Sequence, residues 1–218
     1  MTTATAPIID PQPLLLDVSN TTITVTPEQF DLLCIDNPDL RLELTPDLKL
    51  IVMAPTGGES GKKNSKLNLR VGIWNEQTEL GEVFDSSTGY DLTAFEGGKP
   101  SPDVSWIEKS RLEGVNIIGL IPIVPDFVLE LRSLEKVLHL GKPQDRTFRS
   151  ATDSLSATKT KMEQYQRVGV RLGLLVDPKN KQVEIYRPGH EPEILADPKL
   201  IDCSEVMPGF ILDMSKVW

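Results

Sequence analysis

PDVSWIE (102–108) and DFVLELR (126–132) alternate apolar with polar residues, as β-strands do when their two faces meet different surroundings. In the second stretch the alternation puts Phe127, Leu129 and Leu131 on one face and Val128, Glu130 and Arg132 on the other. A carboxylate among Val, Leu and Leu is the informative oddity. Buried without a partner it would be costly, so Glu130 needs a cation, a hydrogen-bond donor or a metal. Asp103 opens the first stretch, 27 residues before Glu130. Pro-Asp also occurs at 38–39, 46–47 and 125–126, where it reads as ordinary turn chemistry, so it is the strand context that singles out Asp103. From these residues alone, an ion pair of Glu130 with Arg132 or a lysine, with no chemistry attached, stays open.

Upstream, TPEQFDLLCI has Thr26 as N-cap, Pro27 at the first helical position and Gln29 three residues after the cap, which predicts a short helix over about 27–35. LRLEL (40–44) and LKLIVM (48–53), separated by Thr45-Pro46-Asp47, read as a hairpin. Glu59 to Glu79 carries Leu67, Val71 and Trp74 at helical spacing and reads as a long helix. GEVFDSSTGYDL (81–92) precedes the two key strands as another strand with turn residues. Downstream, residues 134–151 mix both charge signs around a Gly-Lys-Pro break and are treated as irregular. Ser154 to Val168 reads as a helix ended by Gly169, RLGLLVD (171–177) and QVEIYR (182–187) as a hairpin, and GFILDM (209–214) as a last short strand. The order suggests an α/β fold, a mixed central β-sheet flanked by α-helices.

The 218 residues, 39% of them hydrophobic, suit one domain at about 21–218 behind a proline-containing tail at 1–20. No apolar run approaches the roughly 18 residues of a membrane span, and the N-terminus lacks the pattern of a secretory signal. Cys34 and Cys203 form neither a zinc spacing nor a disulfide framework. The expectation is a cytoplasmic protein with no membrane contact. A net charge of −9 argues against a broadly basic nucleic-acid-binding surface. Local runs, with Lys62, Lys63, Lys66 and Arg70 on the long helix and Arg132, Lys136, Lys142, Arg146 and Arg149 further on, would have to offset it.

Two carboxylates at the ends of neighbouring strands suit Mg²⁺, a hard cation that prefers oxygen ligands and keeps waters for a substrate to displace. Phosphodiester hydrolysis at such a centre also wants a nearby cation. Arg132 lies two residues after Glu130 but cannot readily give up its proton, so it suits charge stabilisation only. Lys161 suits the role if its helix packs along the Glu130 strand, since a lysine beside a metal and carboxylates would be able to pass between charged and neutral forms while orienting a water. Glu59 opens the long helix, where the helix dipole favours a carboxylate with or without a catalytic role. His139 and His190 are not spaced as ligands.

Together, TPEQFDLLCIDNPDLRLEL, IVMAPTGGESGKKNSKL, FDSSTGYDL, SPDVSWI, VPDFVLELRS, KMEQYQRVGVRLGLLVDPKNKQVEIYRPG and PGFILDMSKVW resemble the Uma-two family of restriction-endonuclease-like proteins, abundant in cyanobacteria and placed in the PD-(D/E)XK superfamily. The resemblance covers about 21–218. It implies a restriction-endonuclease-like core in which Asp103 and Glu130 hold Mg²⁺ or Mn²⁺, Lys161 is a lysine relocated to the following helix, and Glu59 is the helix-opening glutamate. It implies DNA as substrate, and it leaves a homodimer open. One departure is the segment LEKVLHLGKPQDRTFRS, read as an insertion at 134–151 where the family pattern runs almost directly into the helix. The rival reading is a catalytically inactive protein of this fold that binds nucleic acid or another protein.

Overall fold

The computed structural model describes residues 22–53, 56–132 and 155–218. The expected tail at 1–20 and the expected insertion at 134–151 lie outside the described residues. Helix α1 (Pro27–Asp36) starts on the foreseen capping box: Thr26 Oγ1 accepts from Gln29 N–H, and Gln29 Oε1 accepts from Thr26 N–H. Strands β1 (Arg41–Leu44) and β2 (Leu50–Met53) pair antiparallel as the expected hairpin. Helix α2 (Gly58–Thr78) follows, with Ser60, Lys63, Leu67, Val71 and Trp74 on its buried face, and it ends where Glu79 turns left-handed (φ 52°).

Among the described residues, six strands make the main sheet: β3 (Gly81–Asp85), β4 (Val104–Glu108), β5 (Phe127–Leu131), β6 (Leu172–Asp177), β7 (Gln182–Tyr186) and β8 (Glu193–Ala196), side by side in that order. Helix α3 (Lys109–Leu112) follows β4, and helix α4 (Leu155–Arg167) precedes β6. The β5–β6 pair is parallel and its neighbours are antiparallel, so the sheet is mixed, as the sequence suggests. α4 supplies the crossover that a parallel pair requires.

Both faces of the sheet are covered. Val104, Trp106, Phe127 and Leu129 pack with Leu67, Val71 and Trp74 of α2, while Ile107, Val128 and Leu175 pack with Met162 and Tyr165 of α4. The alternation read from DFVLELR is therefore real, with each side facing a different helix. Three details differ from expectation. β3 stops at Asp85, where the Asp85 carboxylate accepts from Ser87 N–H and Oγ–H and turns the chain. β8 and β9 (Leu200–Asp202) were not foreseen, and β9 pairs with β10 (Ile211–Asp213), the core of the expected last strand. Both strands are too short for a two-residue period to stand out among Pro and Asp.

The hairpin docks on the loop before β4. Leu44 N–H donates to Lys99 O (3.1 Å) and Lys99 N–H donates to Leu44 O (2.7 Å). Gly98 permits this approach: its φ is +67°, and a Cβ there would lie 2.3 Å from Leu44 O.

Candidate active site

The register pairs Val104 with Leu129, and one further step sets Asp103 opposite Glu130 on the α4 side of the sheet. Lys161 and Tyr165 stand one turn apart on α4, so both reach the same strand. Lys161 Nζ lies 2.9 Å from Glu130 Oε1, and the Tyr165 hydroxyl donates to that same oxygen at 3.1 Å. Asp103, Glu130 and Lys161 thus come together. Glu130 meets its lysine partner, while the Arg132 guanidinium turns to Asp177 Oδ2 at 2.6 Å.

A third carboxylate, unforeseen, completes the group. Glu43 of β1 is 4% exposed, and its Oε1 accepts from Lys161 Nζ (2.9 Å) and from Ser101 N–H (3.0 Å). Lys161 Nζ also donates to Ser101 O at 3.1 Å. The signal was present, because Leu42-Glu43-Leu44 repeats the Leu-Glu-Leu of Leu129-Glu130-Leu131.

Asp103 is partly buried and well anchored. Its Oδ2 accepts Leu131 N–H (2.8 Å), and its Oδ1 accepts from Asn64 Nδ2 (3.3 Å), one turn inside α2. Asn64 Oδ1 is buried without a hydrogen-bond partner. Glu59 sits about half exposed in the first turn of α2, paired with Lys63 and, at 3.9 Å, with Lys62. The hydrogen bond from Lys63 holds its carboxyl below the usual range. The basic run on α2 is largely engaged within the protein: Lys66 Nζ donates to Lys216 O (2.6 Å), and Arg70 donates to Lys66 O (2.8 Å).

The electrostatics of the group follow from burial. Burial, reinforced by the charges of Asp103 and Glu43, pushes the Glu130 carboxyl up to about 7 in spite of Lys161. Burial likewise pushes Asp103 up, only partly offset by the Leu131 N–H and Lys161. Burial opposes the charge on Lys161, but Glu130 and Glu43 outweigh it and hold the ammonium well above the ordinary lysine value. With no metal bound, these acids therefore hold Lys161 in its charged form.

Glu43 and Glu130 therefore share the Lys161 ammonium, while Asp103 feels the positive charges of Lys161 and Arg41 without an ion pair among the described residues. The oxygens of Asp103 and Glu130 are the hard donors that a divalent cation of the Mg²⁺ kind takes, and the unpartnered Asn64 Oδ1 beside Asp103 adds a neutral one. Among the described residues, no three His, Cys, Asp or Glu side chains already converge as a ligand set. The donor chemistry fits such an ion with the amide of Asn64 as the supplement.

A mixed sheet with a helix on each face, and acids from adjacent strands meeting a lysine from the crossover helix, is a nuclease-like α/β fold of the restriction-endonuclease type. A crystal structure described as "a putative nuclease belonging to DUF820 from Anabaena variabilis ATCC 29413" shares the fold, with TM-score 0.60 and 19% identity over 81% of this chain and 88% of that one. The chain belongs to the Uma2 family, described as "Putative restriction endonuclease", whose profile matches residues 27–215. No protein of curated function matches. Among the described residues, no helix is long and apolar enough to cross a membrane.

Proposed function

We propose that this protein is a divalent-metal-dependent endonuclease that hydrolyses DNA phosphodiester bonds at the Asp103–Glu130–Lys161 group, with Mg²⁺ as the ion and Mn²⁺ as its substitute. The observation that carries the reading is that Asp103 lies opposite Glu130 across the sheet register with Lys161 on Glu130, in a chain of this family. Bound there, the cation would polarise the scissile phosphate and lower the pKa of an attacking water.

The chain's own residues have separate tasks. The Leu131 N–H fixes one oxygen of Asp103, leaving Oδ1, shared only weakly with Asn64, to face a ligand. Lys161 and Tyr165 hold Glu130 Oε1 and so orient the carboxylate, which presents Oε2. The Lys161 ammonium is the preorganised charge that meets negative charge developing on the phosphate. Glu59 stands at the start of the helix that brings Asn64 to Asp103, and we include it as a site residue that Glu59→Gln would test.

The deciding experiment is plasmid nicking and single-strand cleavage in Mg²⁺, in Mn²⁺ and in EDTA, beside Asp103→Ala. Metal-dependent cleavage lost in Asp103→Ala supports the reading. The net charge of −9 favours a second one, an inactive nuclease-fold protein that binds nucleic acid or another protein. Absence of cleavage and of Mn²⁺ binding by the parent protein would favour that alternative.

A further inference from the structure

We infer that Glu43 is a positioning residue of this site, acting on Asp103 through Ser101 and on Glu130 through Lys161. The inference rests on the proposed metal-dependent reading and concerns how the site is held. Glu43 Oε1 is a junction: it accepts Ser101 N–H at 3.0 Å and the Lys161 ammonium at 2.9 Å, and the same ammonium donates to Ser101 O at 3.1 Å. Both backbone polar groups of Ser101 are thereby clamped by one acid–lysine pair. Ser101 stands two residues before Asp103, so the clamp sets the path by which the chain enters β4.

The rest of the hairpin supports this role. β1 docks on the same loop through the Leu44–Lys99 backbone bonds. Lys99, 3% exposed, is tied to Asp31 of α1 (2.6 Å) and to Asp91 (3.1 Å), so the chain is also held two residues before the clamp. An apolar side chain at 43 would leave Ser101 N–H and Lys161 each short of an acceptor, whereas glutamine at 43 keeps an oxygen in the same place.

The test compares Glu43→Gln and Glu43→Met by hydrogen exchange of the amides at 99–104 and by calorimetric Mn²⁺ titration of the DNA-free protein. Glu43→Gln should bind Mn²⁺ within about threefold of the parent, with Ser101 N–H still protected. Glu43→Met should expose that amide, about 100-fold faster, and lose tenfold or more in Mn²⁺ affinity. Parent-like Mn²⁺ affinity and exchange in both variants would overturn the inference. So would a loss in Glu43→Gln as large as in Glu43→Met, since Glu43 would then act by its charge as a ligand. If the methionine variant does not fold, an unprotected Ser101 N–H in the parent overturns it just as well. A parent that binds no Mn²⁺ would sink the metal reading, yet the exchange comparison would still decide what Glu43 holds.

Discussion

Lys161 Nζ lies 2.9 Å from Glu43 Oε1 across 118 positions of sequence, and the same nitrogen lies 2.9 Å from Glu130. A buried cation shared by two acids is hard to replace. Truncating it leaves two buried carboxylates uncompensated, a loss of about 3–5 kcal/mol by the usual cost of breaking a buried pair. Lys161→Met should therefore destabilise the protein by roughly that amount in urea unfolding, and should abolish cleavage while Mn²⁺ binding persists. Arg132→Lys should cleave like the parent, because the cation at 132 belongs to Asp177. The reverse pattern, with Lys161→Met active and Arg132→Ala dead, would make Arg132 the working cation.

Stability without metal should depend on pH through Glu130. Its folded carboxyl titrates near about 7, whereas in the unfolded chain it returns to about 4.3. Between those values the folded state holds a proton that the unfolded state has released, so stability falls as pH rises from about 4.3 to 7 and levels off outside that window. Asp103, also raised, pulls in the same direction. Urea unfolding in EDTA should show this slope, Glu130→Gln should flatten it, and saturating Mg²⁺ should flatten it by favouring the ionised form. A slope identical in the parent and Glu130→Gln would assign it elsewhere.

Removing the Tyr165 hydroxyl takes one of the two donors from Glu130 Oε1. Tyr165→Phe should cost about 1 kcal/mol or somewhat more, since the acceptor is ionisable. Thermal unfolding measures it. An unchanged melting temperature would show that Lys161 alone satisfies that oxygen.

Asn64 tests the ligand set directly. Its buried, unpartnered Oδ1 awaits a positive partner, so Asn64→Leu should weaken Mn²⁺ binding about tenfold while changing metal-free stability little. Calorimetry on the two proteins measures it, and equal affinities would remove Asn64 from the coordination sphere.

Much of this was legible in the sequence because each signal was local. The capping box of α1, the period of α2 and the alternation of DFVLELR need only a few neighbours to be read. Asp103 and Glu130 stood out for the same reason, as acids at the start and in the middle of apolar strands. What escaped was relational. Glu43 gains its meaning from Lys161 and Ser101, neither near it in sequence, and nothing local marks Asn64 as facing Asp103. The hold of Lys161 on its proton is relational too, since it depends on Glu43 as well as Glu130.

The docking of the hairpin at Gly98 has a bearing on how the protein is made. The acids enter the chain at 43, 103 and 130, and the ammonium that pairs with Glu43 and Glu130 arrives with α4 at 161. A nascent chain that has emerged only as far as β5 carries Glu43 and Glu130 without the lysine that pairs with both, and lacks β6, the parallel partner of β5. Ribosome-bound or truncated chains ending before α4 should therefore bind Mn²⁺ poorly and be digested readily, and competence should appear in one late step once α4 and β6 are out.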